Sequence, residues 1–183
     1  MSTERKCGDC QLCCKLLPTK EIGKVANTRC EHQRTGKGCM IYDRRPFSCS
    51  SWSCRWLLED DTADLSRPDR SHYVIDLIPD YVTAVHEDGR KDDIPVLQVW
   101  VDPAHRDAHR DPHLRAYIAR QGEKYGMAAL IRFGSTEAFV LAPPAISSDG
   151  QWHEQSGDCS RKEHSLADTL SKFGGRVIME ERP

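Results

Sequence analysis

Eight cysteines fall within the first fifty-four residues: Cys7, Cys10, Cys13, Cys14, Cys30, Cys39, Cys49 and Cys54. The ninth, Cys159, stands apart in a polar stretch. Zinc is held tetrahedrally and accepts four thiolates, and iron–sulfur clusters are also carried by four cysteines. Cys7-x2-Cys10 has the gap of a metal knuckle. Cys7-x2-Cys10-x2-Cys13 also starts like a ferredoxin run, although Cys14 replaces the usual x3-Cys-Pro ending. Spacing alone leaves the two metals open. Eight ligands divide into two four-cysteine sites, or combine in one polynuclear cluster with bridging sulfurs. Neighbouring side chains on a helix diverge by about 100°, so Cys13 and Cys14 suit one mononuclear site poorly. Sites saturated by four cysteines have no open position, which favours structure or electron transfer over Lewis-acid catalysis.

Buried inert thiols are the plainer alternative, but eight cysteines in fifty-four residues is several times ordinary usage. Disulfides depend on the compartment. Met1 to Lys6 carries no apolar signal core, and no apolar run approaches the roughly 18 residues of a membrane span. The expected address is the cytoplasm, where stable disulfides are rare and clustered cysteines are read as metal ligands. His32, between Cys30 and Cys39, is a candidate substitute ligand, and Cys159 is expected to be an ordinary thiol. His105, His109 and His113 recur at four-residue intervals and would share one face of an unbroken helix. Pro103 and Pro112 interrupt that helix, and the interleaved Arg and Asp predict a solvated loop.

Net charge is −2 and unevenly spread. Met1 to Trp56 holds 11 Lys and Arg against 5 Asp and Glu, which leaves 15 against 23 of the totals 26 and 28 for the remainder. Four thiolates on a divalent metal carry −2, so nearby cations are expected as compensation. Nucleic acid is the rival explanation, but the aromatic platform that stacks single strands is missing, so nucleic acid is not expected as a partner. Arg44 and Arg45 are placed either to donate to cluster sulfurs or to face solvent. Tyr42, Trp52 and Trp56 are expected to shield the metal.

Cys7-x2-Cys10-x2-Cys13-Cys14, then Cys39-Met40-Ile41-Tyr42-Asp43-x-Arg45-Pro46-x2-Cys49 and Cys54-x-Trp56-Leu57, resembles the bacterial YkgJ-type cysteine-cluster family. That family is also described as the CxxCxxCC zinc- or iron-chelating domain. All eight hallmark cysteines have counterparts, over about the first third of the chain. The resemblance implies metal binding by these eight residues and implies no substrate. A related cluster accompanies a flagellin lysine methylase, but nothing after Leu57 carries methylase activity over.

The positioning elements are short at first. Cys7 to Leu17 reads as a turn entering a helix capped by Asp9, with Cys10, Cys13 and Cys14 on one face. Gln33 to Gly38 is a polar turn delivering Cys39. Trp52 and Trp56 are spaced for one face of a short helix. Leu57 to Arg70 is acidic and reads as a junction. Strands follow at Tyr73–Ile78, Tyr81–His86 and Pro95–Val101. A helix runs from the cap Asp111 through Pro112 to Tyr125, stopped by Gly126 and buried along Leu114, Tyr117 and Ile118. Met127–Phe133 and Thr136–Leu141 form a hairpin about a type II′ turn at Gly134-Ser135. His164–Phe173 reads as a helix closed by Gly174-Gly175, and Val177–Met179 as a last strand.

The expected class is α+β: a cysteine-rich metal-binding N-terminal module over residues 1–60, packed on a small antiparallel or mixed sheet with one or two helices in residues 67–183. The expected function is a zinc protein in a structural or metal-handling role, with an iron–sulfur redox accessory as the alternative. Besides metal ions, a protein partner on the α+β body is expected. No catalytic motif is found: no phosphate-binding glycine loop, no nucleophile elbow and no HExxH.

Overall fold

The computed structural model describes residues 5–86, 88–156 and 166–173. The chain is α+β. Short elements come first: α1 (Leu12–Leu16), a two-stranded antiparallel hairpin of β1 (Gln33–Arg34) and β2 (Gly38–Cys39), α2 (Phe47–Ser50), α3 (Arg55–Leu58) and α4 (Pro68–Ser71). The main sheet contains β3 (Tyr73–Ile75), β4 (Asp80–Val85), β5 (Lys91–Val101), β6 (Ala128–Arg132), β7 (Ala138–Ala142) and β8 (His153–Gln155). Helix α5 (Pro112–Tyr125) lies between β5 and β6 in sequence, and α6 (Leu166–Phe173) follows β8.

β5 is the axis of the sheet. One edge pairs with β4 along its first half and with β3 along its second, both antiparallel. The other edge takes β6 in parallel, and β7 and β8 then add antiparallel. A parallel pair needs a long crossover, and α5 supplies it. The features expected of α5 are present: Asp111 accepts from the His113 backbone N–H at 3.0 Å, Pro112 is the first helical residue, and Gly126 ends the helix at φ 67°.

Alternation along the strands sorts the core, because successive side chains point to opposite faces. Leu97, Val99 and Val101 of β5, with Tyr73, Ile75, Ala129 and Ile131, pack with Leu114, Tyr117 and Ile118 of α5. Val74 and Trp100 pack instead with Cys10, Leu12 and Leu16. The cysteine-bearing segment and α5 therefore cover opposite faces of the sheet. Polar ties reinforce the contact: Trp52 Nε1 donates to Asp76 at 2.7 Å, Asn27 Nδ2 to the Phe133 carbonyl at 2.5 Å, and Lys15 Nζ to Asp102 at 2.6 and 2.7 Å.

Several local expectations are corrected. Arg132 pairs with Ala138, and the Phe133 N–H reaches the Glu137 carbonyl, which leaves three loop residues instead of two. Gly134 also lacks the positive φ that a type II′ turn requires. The supposed junction is built in, with Thr62 and Leu65 buried and a helix at Pro68–Ser71. Strand β8 was not anticipated, since Gln155 and Glu154 are exposed and give no apolar alternation. The 103–110 segment is 3-10 helix instead of an irregular loop. The Val177–Met179 strand, the Gly174-Gly175 stop and Cys159 lie outside the described residues.

Candidate metal centre

The Cys10 N–H bonds the Cys7 carbonyl at 3.0 Å, closing the first knuckle as a turn, and α1 starts only at Leu12. Cys10 therefore lies before the helix and does not share a helical face with Cys13 and Cys14. Asp9 does not cap α1; its carboxylate pairs with Arg67 at 2.8 Å. The reason is apolar. Leu12 and Leu16, four apart, turn into the sheet and fix the helix phase, which sets the direction of Cys13 and Cys14.

The β1–β2 hairpin brings two more thiols. The Cys30 N–H bonds the Cys14 carbonyl at 3.2 Å, tying the start of the hairpin segment to α1. Gly38 sits at φ 80°, and a Cβ there would lie 3.3 Å from the Gly8 carbonyl. Glycine thus allows the hairpin to approach the knuckle and present Cys39 next to it in sequence. Cys49 lies in α2 with its sulfur 3.8 Å from Thr19 Oγ1, and Cys54 caps the start of α3. The two tryptophans part company. Trp52 packs on the cysteine cluster, whereas Trp56 joins the α5 side and donates to the Leu65 carbonyl at 3.1 Å. Tyr42 shields nothing: it is 52 % exposed, under the guanidinium of Arg45 at 3.7 Å. Arg45 bonds the carbonyls of Tyr42 and Cys49. His32 is half-buried beside Glu31 at 3.4 Å.

The eight cysteines are free thiols, seven half-buried and Cys10 buried. Cys13 and Cys14 perturb one another in opposite directions. Its neighbour Cys14, with burial and the charge of Cys7, holds the Cys13 thiol well above its usual range. Its neighbour Cys13, helped by Lys24 and Arg45 against burial, lowers Cys14 to about 7. Burial raises Cys7 and Cys10, and pushes Cys54 up to about 11 with help from Cys10 and Cys7.

These interactions sort the sulfurs. Cys7 and Cys10 act on Cys54, the four sulfurs of Cys13, Cys14, Cys30 and Cys49 act on Lys24, and both Cys13 and Cys14 interact with Cys7. Lys24 is buried, donating to the Leu17 carbonyl and, at 3.1 Å, to that of Lys15. Burial lowers its pKa while the thiols oppose the shift. Sequence reasoning missed Lys24 and Arg67 individually because a lysine or arginine reads as a solvated surface charge; the positive balance of the segment was the available signal.

The donor chemistry fits a thiolate-bound metal. Crowded thiols with raised pKa values resist ionising together, and a divalent cation removes that obstacle. Closure is not complete: among the described residues no three sulfurs lie mutually within 4.8 Å. Zinc–sulfur bonds of about 2.3 Å bring tetrahedral sulfurs to roughly 3.8 Å, so side-chain rotation must draw them in.

The histidine series does not assemble as a metal face. His109 is buried against Phe133 and Phe139 with Nδ1 2.6 Å from the Arg106 carbonyl, His113 is exposed on α5, and His105 lies at a break in the 3-10 segment.

In the metal-free, reduced chain, alkylation near neutral pH is expected to reach Cys14 long before Cys54. The thiolate is the nucleophile. A thiol at about 7 is about half ionised at pH 7, whereas one at about 11 is ionised to roughly one part in ten thousand. Lys24→Met should raise the midpoint of the Cys14 rate profile. Peptide mass spectrometry across pH reads both effects, and equal rates at Cys14 and Cys54 would contradict the assignment.

No protein-family model, curated protein or solved structure matches this chain.

Proposed function

We propose that the chain is a metal-binding protein whose ligands are Cys7, Cys10, Cys13, Cys14, Cys30, Cys39, Cys49 and Cys54, with zinc as the metal in a structural or metal-handling role. The observation that carries this reading is that the cysteines are free thiols and that seven of them interact within one segment against the sheet face opposite α5. Lys24, Arg45 and Arg67 lie close enough to act on these thiols, as counter-charge to thiolates would. The motif resemblance to the YkgJ-type family points to the same eight residues.

Cys13 and Cys14 each interact electrostatically with both Cys7 and Lys24, which favours a shared cluster over two isolated sites. In a shared cluster, Cys13→Ser and Cys14→Ser each release all the metal. Separate sites would release half.

An iron–sulfur cluster in a redox accessory role is the second reading, favoured by the packing of buried Cys10 and half-buried Cys7, Cys13 and Cys54 with Trp52, which restricts water at the sulfurs. A protein partner is a further part of the proposal. Exposed apolar side chains lie both in the cysteine segment, at Val25, Met40, Tyr42 and Phe47, and in the α+β body, at Ile78 and Val85, and offer surface for such a contact. No helix among the described residues is long and apolar enough to cross a membrane.

Anaerobic purification followed by elemental analysis and an absorbance spectrum tests the reading. Zinc without a visible band supports it. Iron with acid-labile sulfide and a visible charge-transfer band replaces it with the redox reading. Neither metal refutes both.

A further inference from the structure

A second set of ligands lies away from the cysteines. His72 ends α4 in the left-handed region at φ 62°, uncommon for a residue with a side chain. Asp102 directly follows β5, and its N–H bonds the His72 carbonyl at 2.9 Å. The Asp102 carboxylate accepts from the Ala104 N–H at 3.0 Å, and its carbonyl accepts from the His105 N–H at 2.8 Å. His105 stands at φ −133°, ψ 55°, where the 3-10 segment breaks. Three backbone-anchored positions therefore bring one imidazole nitrogen each from His72 and His105 and one Asp102 oxygen within 4.8 Å of one another.

We propose that His72, His105 and Asp102 form a binding site for a divalent transition-metal ion of the zinc type, separate from the cysteine ligands. Two imidazoles and one carboxylate are a donor set that zinc and its neighbours accept, with positions left for water or a ligand. Asp102 is buried, His72 half-buried and His105 exposed, so the set has a fixed floor and an open side. That side borders an open concavity of about 550 Å³ lined also by Ser66, Arg70 and Arg106. The two rings stack at 3.6 Å with planes 9° apart. Parallel rings aim their lone pairs side by side, so one must turn to share an ion, and exposed His105 has the room.

Lys15 Nζ contacts both Asp102 oxygens and acts as the carboxylate's cation in the metal-free protein. The metal competes with that ammonium. Lys15 directly follows Cys14 in α1, so an ion at the histidines releases a charge next to the cysteine ligands. The site itself contains no cysteine and stands independently of the thiolate reading.

The test uses the full chain. Cysteine-bound zinc is first measured at low, chelator-buffered free zinc, where it is lost in Cys13→Ser. Free zinc is then raised while metal content and imidazole NMR signals are followed. One additional zinc per chain is expected, moving the His72 and His105 signals together. His105→Gln should abolish this additional zinc, and His72→Asn, which tolerates the left-handed backbone, should weaken it. Lys15→Gln should tighten it about tenfold, the scale of changes in the groups around metal ligands. Amide spectra check that the variants fold. No additional zinc in the wild-type chain, or the same additional zinc in both histidine variants, overturns the site. Unchanged affinity in Lys15→Gln overturns the role of Asp102.

Discussion

Stripping the metal from the loaded protein is expected to unfold the cysteine segment while the sheet and α5 stay ordered. Before Leu65, the buried apolar residues are Cys10, Leu12 and Leu16 alone among the described residues. Full burial of such a side chain stabilises by about 1.5–3 kcal/mol. Fixing each backbone residue costs about 1–2 kcal/mol. Over fifty residues of short helices and one two-residue hairpin, three side chains fall far short of that cost. Metal ligation, worth about 10 kcal/mol or more for a structural zinc at neutral pH, contributes more than the three side chains together, so its removal takes away the largest single stabilising term of the segment. Far-UV circular dichroism, Trp52 fluorescence and amide exchange before and after chelation would follow the loss. Acid should act in the same direction, because protons compete for the sulfurs. The raised thiols, Cys13 and Cys54 among them, give up protons on binding, so affinity climbs with pH through the neutral range. A chelated chain that melts unchanged would assign the metal to exchange and delivery.

Arg55→Met should cost about 3–5 kcal/mol, the range for removing one partner of a buried charge pair. Arg55 is buried beside Cys54, with Nε donating to the Asp76 carbonyl at 3.0 Å and Nη1 to both Glu59 oxygens at 2.9 and 3.1 Å. Glu59 also accepts from the Tyr117 hydroxyl at 3.1 Å. Methionine keeps the apolar stem and leaves the half-buried Glu59 carboxylate without its cation. Burial already raises the Glu59 pKa against the pull of Arg55, and the variant lets it rise further. A folded-state pKa above the unfolded one means that the folded chain holds the proton more tightly. Stability therefore falls as pH rises from the ordinary carboxylate value through the folded one. Denaturant melts should show a larger deficit at pH 8 than at pH 5. Tyr117→Phe, which removes one hydrogen bond, should cost only about 1 kcal/mol. Equal deficits at the two pH values would mean that the loss is packing and not charge.

What the sequence determined was local. Asp111, Pro112 and Gly126 bound α5 because cap, φ and left-handed preferences act within a few residues. The runs at Tyr73, Tyr81 and Pro95 announced strands because alternation is a property of consecutive side chains. The cysteine spacing marked the proposed thiol donors for the same reason, since donor type needs no knowledge of the fold. The tertiary structure decided which partners meet. Leu12 and Leu16 turn toward Val74 and Trp100 and leave Cys10 outside the helix, so the expected cysteine face never forms. Lys24 is buried among thiols, although a lysine in sequence reads as a solvated charge. His105 was legible only as one of a series with His109 and His113. Its contact with His72 and Asp102 exists because β3 pairs with the end of β5, a register set by long-range burial of Tyr73 and Ile75 on α5.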